Sequence, residues 1–295
     1  MENFHETEKF KANERIIIGN AVKERGSGDY VIYDAKRLIG KEYGYIYDND
    51  QIALQNWPFE VRNYEGPCIV FKDKNEKDDL LYPEEVSGLI LRYLVNCAKA
   101  KTNAEKFKKI IVTVPAEFND KQKNSTLFAC QLAFKGLGMK RNDIELLNEP
   151  SAAILEYKRF LEERELPPLK ENAKVVVIDF GGGTLDINCC LCTRGIVRVE
   201  ANGGDQNLGG NNFDHIMMEL IKEKLKEEGK LDENFFEKPT GKRVTTDMKI
   251  QHKKRMNNLK KEAERLKTRL SSSNNPECKI KNLLGNEYNE EEHED

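Results

Sequence analysis

Residues 174–192 read KVVVIDFGGGTLDINCCLC: an apolar run, a glycine turn and a second run. Val175–Ile178 form a short continuous apolar stretch bounded by a turn signal, which predicts a buried strand. Gly181, Gly182 and Gly183 let the chain double back and bring its backbone close to a ligand with no Cβ in the way. Successive N–H groups in such a turn form a concavity suited to phosphate. Thr184 adds a hydroxyl donor. Asp179 and Asp186 flank the turn, placed to hold Mg²⁺ through the waters that magnesium retains. The plain alternative is an ordinary glycine hairpin, against which the two aspartates and the threonine weigh.

Downstream, IVRVEANGG (196–204) supplies a third strand, so the block reads as a meander. A second glycine cluster follows, Gly203-Gly204-Asp205 and then Leu208-Gly209-Gly210. Backbone amides at the helix N-terminus that comes next are also suited to an anion. That helix starts at Gly210 and carries Phe213, Ile216, Met217, Leu220 and Ile221. A long basic helix is expected over about 242–270. Its Met256, Leu259, Ala263, Leu266 and Leu270 mark a core-facing side, and its Lys and Arg residues a solvated face.

Upstream, LPPLKENA (166–173) reads as a linker. Before it, strand and helix alternate. Residues 109–114 form a strand ended by Pro115, and a helix from about Asp120 carries Leu127, Cys130, Phe134 and Leu137 on one face. Residues 144–147 form a strand, and Pro150 opens a further helix as a first-turn proline. This βαβα order predicts a mostly parallel sheet covered by helices. A helix near Pro83 repeats Val86, Ile90, Leu94 and Cys97 at helical spacing. Residues 15–70 read as short extended pieces and turns. The segments 1–14 and 287–295 (EYNEEEHED) are expected to be disordered.

The net charge of −3 gives no electrostatic case for nucleic acid or an anionic membrane. No apolar run approaches the roughly 20 residues that span a bilayer. The seven cysteines (68, 97, 130, 189, 190, 192 and 278) are odd in number, and no signal peptide precedes them, which argues for free thiols in a reducing compartment. Cys189, Cys190 and Cys192 lack the CxxC spacing of a metal site. On a strand Cys189 faces away from Cys190 and Cys192, so buried thiols are expected. Neither GxxxxGK[ST] nor GxGxxG after a strand occurs, which excludes a P-loop and a Rossmann phosphate site.

The segments ERIIIGNAV, YDAKRLIG, NWPFEV, YPEEVSGLIL, IVTVPAEFND, LLNEPSAAILEY, VVVIDFGGGTLDI, GGDQNLGGNNFD and EAERLKTRLSSS occur in that order from about Asn13 to Asn286. Together they resemble the nucleotide-binding domain of the seventy-kilodalton heat-shock chaperone (DnaK-type) family. The resemblance implies an α/β, actin-like ATPase (ribonuclease H-like) fold of two lobes, here 15–166 and 174–286, with ATP or ADP and Mg²⁺ between them. It assigns Lys36 as the catalytic lysine, Glu149 to the metal's water shell and Pro115 to coupling with a partner domain. Asp179, Gly181, Gly182, Gly183 and Thr184 match the second phosphate loop, and Gly210 the stretch touching the nucleotide. Glu264, Lys267 and Ser271 match adenosine contacts, and their i, i+3, i+7 spacing puts them on one helix face.

Departures accompany the match. The family's first phosphate loop, Asp-x-Gly-Thr-Thr, and second adenosine loop, Gly-Gly-Ser-x-Arg, do not occur, nor does the peptide-binding domain. Glu117 replaces an aromatic residue, Asn211 and Asn212 an acidic pair, and Thr268 an arginine. The resemblance therefore implies an ATP-binding chaperone, truncated at both ends, that turns over ATP slowly or not at all. The implied partners are nucleotide and co-chaperones, that is, J-domain proteins and nucleotide-exchange factors, in the cytoplasm. Two alternatives stay open: a degenerate relative that acts by binding such partners, and another actin-like ATPase such as a sugar kinase.

Overall fold

A computed structural model describes residues 16–19, 22, 31–50, 54, 57, 59–72, 78–229, 235–237, 239–241 and 243–272. The expected disordered ends, 1–14 and 287–295, lie outside these residues, as does Cys278. The fold is mixed α/β, with three small sheets among the described residues. No described helix is long and apolar enough to cross a membrane.

The first unit holds two short helices, α1 (Ala35–Leu38) and α2 (Tyr43–Asn49), which the sequence reading had as extended chain. Ala, Lys, Arg and Leu all favour helix, but four residues are too few to show a 3.6 period. An antiparallel meander follows: β1 (Glu60–Asn63), β2 (Pro67–Lys72) and β3 (Asp78–Leu81). Its core gathers Leu38, Ile46, Trp57, Phe59, Ile69 and Val86. The Trp57 and Phe59 rings stack with centroids 5.2 Å apart.

Helix α3 (Pro83–Thr102) leads to β4 (Ile110–Val114), α4 (Asp120–Phe134), β5 (Ile144–Asn148) and α5 (Glu149–Glu163). Strands β4 and β5 pair in parallel, Val112 opposite Leu146, as the βαβ pattern predicts. Asn119 and Gln122 cap α4 reciprocally at 2.9 and 3.2 Å. Cys130, Ala133, Phe134 and Ile144 form the core beneath it, the face read from the sequence.

The third sheet is the expected meander, β6 (Ala173–Phe180), β7 (Leu185–Thr193) and β8 (Ile196–Asp205), antiparallel throughout. Cys190 and Cys192 point to the core with Ile154 while Cys189 is exposed, as strand alternation requires. Burial raises the Cys190 thiol and pushes Cys130 up to about 11, so both behave as small apolar groups. Helices α6 (Gly210–Glu227) and α7 (Thr246–Leu270) then pack together through Met218, Ile221, Leu259 and Ala263.

Other expectations change. Val175–Ile178, read as a buried strand, is partly buried on one face only, with Val176 and Ile178 exposed. Among the described residues the mostly parallel sheet comes down to the β4–β5 pair, because the short connections at 64–66, 181–184 and 194–195 permit only antiparallel pairing of the strands they join. On α3 the residues Ile90, Leu94 and Cys97 are exposed, and Leu91 and Val95 meet the core instead. On α6 the Met217, Met218 and Ile221 side faces α7, leaving Phe213, Ile216 and Leu220 outside. Both helices carry apolar residues on two sides, and spacing alone does not tell which side finds a partner.

Candidate functional site

Strands β6 and β7 stay in register up to Phe180 opposite Leu185, so Gly181–Thr184 form the whole connection. The Gly181 N–H closes the turn on the Thr184 carbonyl at 2.9 Å. The remaining carbonyls are also taken. Gly181 O accepts from Gly210 N at 2.9 Å, and Gly182 O from Asn211 N at 2.7 Å. Gly183 O accepts from Arg37 Nη2 at 2.9 Å. Among the described residues, the N–H groups of Gly182, Gly183 and Thr184 donate to no backbone carbonyl. The backbone carbonyls of the turn are occupied and three successive amides have no backbone acceptor, the pattern of a concavity suited to an anion.

The turn rests on Gly209. A Cβ there would stand 2.6 Å from Gly183 N and 2.7 Å from Gly182 O. The Asn212 side chain accepts from the Gly209 N–H at 2.9 Å and starts α6. The first two amides of α6, on Gly210 and Asn211, serve the turn, so this helix N-terminus does not offer them to an anion as the sequence reading expected. Gly203 and Gly204 lie within β8.

Helix α1 approaches from the other side. Asp34 precedes it with a left-handed backbone, φ 59°. Lys36 Nζ donates to Glu149 Oε1 at 2.9 Å, bringing together two residues that the resemblance assigned to one site. Arg37, the next residue, reaches instead to the Gly183 carbonyl and to Asp50 Oδ1 at 3.1 Å. Asp34 accepts from Asn211 Nδ2 at 3.0 Å and from Trp57 Nε1 at 3.3 Å. These contacts border a cavity of about 280 Å³ that reaches Tyr33, Asp214, Met218 and Lys260. The Lys260 ammonium lies 3.4 Å from the Tyr33 ring centre, and burial lowers its pKa.

The two flanking aspartates differ in surroundings. Asp179 is exposed. Asp186 is 6% exposed and accepts from Thr184 Oγ1 at 2.9 Å, so it braces the turn from within. Burial first, and Asp186 second, push the Glu117 carboxyl above its ordinary 4.5. A raised carboxyl keeps a proton in the folded chain that the unfolded chain has already released. Its charged form therefore costs stability above the folded pKa, and that cost fades as the pH falls toward 4.5. Glu117→Gln is expected to melt above the parent at neutral pH, with the gap closing on acidification. Melting curves across that range check it; a gap that widens in acid contradicts the pairing.

Helix α7 brings in Lys267. Its ammonium lies 3.1 Å from Gly210 O and 2.5 Å from Asp214 Oδ1. Ser271, at the helix end, donates to Lys267 O at 3.3 Å, and Glu264 O accepts from Thr268 Oγ1 at 2.8 Å. Of the three residues matched to adenosine, Lys267 thus reaches the support of the turn. Among the described residues, no group of three His, Cys, Asp or Glu is placed to hold a metal directly. Sequence reasoning missed Arg37, Asp34 and Asp214, and it marked Gly209 only as part of a glycine cluster before a helix, not as the support of the turn. The adjacency of Arg37 to Lys36 was a signal for the first, and nothing local gave the two aspartates a role.

Comparison with known proteins gives the same direction. The family model described as Hsp70 protein matches residues 8–292. The chain is 35% identical over 214 residues to the heat shock cognate HSP70 protein of Trypanosoma brucei brucei, covering 70% of this chain and 29% of that protein. It is 30% identical over 284 residues to a ribosome-associated molecular chaperone of Nakaseomyces delphensis, covering 94% and 41%. The like-named chaperone of Saccharomyces cerevisiae is 29% identical over 282 residues, with the same two shares of 94% and 41%. The chain therefore spans less than half the length of these relatives.

Proposed function

Since the chain belongs to the Hsp70 protein family, we propose that it binds ATP or ADP at the Gly181–Thr184 turn, as the nucleotide-binding part of a heat-shock chaperone. The observation that carries this reading is the turn itself, whose carbonyls are all occupied and whose amides at Gly182, Gly183 and Thr184 donate to no backbone carbonyl among the described residues. The fold we assign is the actin-like ATPase fold, with lobes at 15–166 and 174–286. Lys36 and Glu149 come from the first lobe, and the turn, Gly210 and Lys267 from the second.

Magnesium fits this arrangement as a partner of the phosphates. It keeps most of its waters and needs only one or two carboxylates. The exposed Asp179 suits that outer role, whereas Asp186 is engaged by Thr184. Bound there, the ion would neutralise phosphate charge and orient the terminal phosphate oxygens. By the family resemblance Lys36 supplies a cation to the phosphates, and Glu149 holds it meanwhile. Glu264, Lys267 and Ser271 form the proposed adenosine side. Co-chaperones of the J-domain and nucleotide-exchange classes are proposed as partners, in a reducing cytoplasmic setting that suits the free thiols.

Calorimetric titration with ATP, ADP and adenosine, each with and without Mg²⁺, tests the reading. ADP is expected to bind at least ~10-fold more tightly than adenosine, a difference of about 1.4 kcal/mol from the turn's amides. Equal affinity for the two, or no binding of either, overturns it.

A further inference from the structure

The peptide that joins Gly183 to Thr184 has one end bound and one end open. Its carbonyl accepts from Arg37 Nη2 at 2.9 Å. Its N–H, on Thr184, donates to no backbone carbonyl among the described residues. In a planar trans peptide the C=O and N–H point in opposite directions. Fixing the carbonyl on Arg37 therefore fixes the direction of the Thr184 amide. The two preceding peptides are held by the same logic, through the amides of Gly210 and Asn211. Those two ties are adjacent backbone groups at the start of α6. The third comes from a side chain 146 residues away.

The placement of Arg37 is costly to build and specific. The residue is 9% exposed. Asp50 takes Nη1 at 3.1 Å and aligns the guanidinium, a planar fork that serves two acceptors at once. Arg37 Nε lies 2.9 Å from the position of a Cβ on Gly183, so the third glycine of the run is what lets the arginine in. The same glycine makes the peptide easy to turn over, because its backbone is free of the usual steric limits. A turned-over peptide would aim a carbonyl oxygen, in place of an N–H, at any anion seated on the turn.

We propose that Arg37 is a positioning residue that holds the Gly183–Thr184 peptide with its N–H outward, so that the turn presents three amides to the terminal phosphates of a nucleotide. The inference rests on the reading of this turn as a phosphate site. Neighbouring residues of α1 then divide the work: Lys36 is held by Glu149, and Arg37 sets the loop from the far side.

The test uses Arg37→Gln, Arg37→Lys and Gly183→Ala in the full chain. Glutamine loses the fork, lysine keeps the charge without serving both acceptors, and the added methyl group displaces an intact arginine. Calorimetry with ADP and with adenosine is paired with ¹⁵N-amide spectra of the ligand-free protein. Expected are an ADP affinity at least ~10-fold weaker in all three, an adenosine affinity within about twofold of the parent, and a Thr184 amide signal that is shifted and broadened. A merely structural arginine lowers both affinities by one factor, and that result overturns the proposal. If the parent itself fails to bind ADP, the functional reading falls separately. The amide arm still decides for Arg37, and an unchanged Thr184 signal in Arg37→Gln overturns its role.

Discussion

Gly209→Ala is expected to abolish tight ADP binding and to lower the melting temperature by about 10 °C. The backbone of Gly209, with φ −170° and ψ −173°, is extended and open to any residue, so no conformational strain enters. The cost comes from contact alone. The new methyl carbon would stand 2.6 Å from Gly183 N and 2.7 Å from Gly182 C and O. These are backbone atoms of the turn, and they cannot yield while Gly210 N and Asn211 N hold the carbonyls of Gly181 and Gly182. Overpacking of this kind costs about 1–3 kcal/mol, and each hydrogen bond broken in relief adds about 1 kcal/mol. For a chain of this size ~1 kcal/mol moves the midpoint by roughly 2–4 °C. Relief that displaces the Gly183 amide also removes the site, so ADP affinity should fall by ~100-fold or more, about 2.7 kcal/mol. Gly182→Ala is the control for stability, because a Cβ there meets nothing within 4 Å and the residue is not at positive φ. Gly209→Ala that melts with the parent and binds ADP equally would sink the account of how the turn is supported.

The contrast between these glycines bears on what a single sequence reveals. The turn was legible because its signals are local: a strand-forming run, three glycines and a second run with period-2 burial. The parallel β4–β5 pair and the Cys130–Phe134 face of α4 were legible for the same reason, since strand and helix periods are written in neighbouring residues. The supports of the turn were not legible. Arg37 reaches Gly183 across 146 residues, and Gly209 looks like any glycine before a helix until its contact with Gly182 is seen. The exposed sides of α3 and α6 failed for a related reason: Ile90, Leu94, Ile216 and Leu220 have the spacing of a core face, and only the position of neighbouring elements shows that they lie outside it. Asn211, a departure from the family pattern, acquires a physical account in the structure. Its neutral amide donates to Asp34 at 3.0 Å, where a carboxylate would meet like charge.

Lys267→Met is expected to destabilise the chain by about 3 kcal/mol, well beyond an exposed ion pair. The Asp214 side chain is 6% exposed and Lys267 is 31% exposed, so the carboxylate is the buried partner. Removing one side of a buried pair leaves an uncompensated charge and costs about 3–5 kcal/mol, with the low end fitting a lysine that keeps some contact with water. Asp214→Asn should cost less, about 1 kcal/mol, because the amide keeps an acceptor for an ammonium that solvent also reaches. Removing both partners with Lys267→Met and Asp214→Leu should recover part of the loss, and the difference measures their coupling. Denaturant unfolding of the parent and these variants checks this; additive losses would mean that the 2.5 Å contact contributes little. The same variants separate two roles at the nucleotide. Lys267 also donates to Gly210 O, whose residue holds the turn through its N–H. If the lysine acts on adenosine, Lys267→Met weakens adenosine and ADP by one common factor. If it acts through Gly210 on the turn, ADP alone is weakened, as for Arg37→Gln. The 3.1 Å bond to Gly210 O favours the second outcome, which would move Lys267 from the base to the phosphate side of the site.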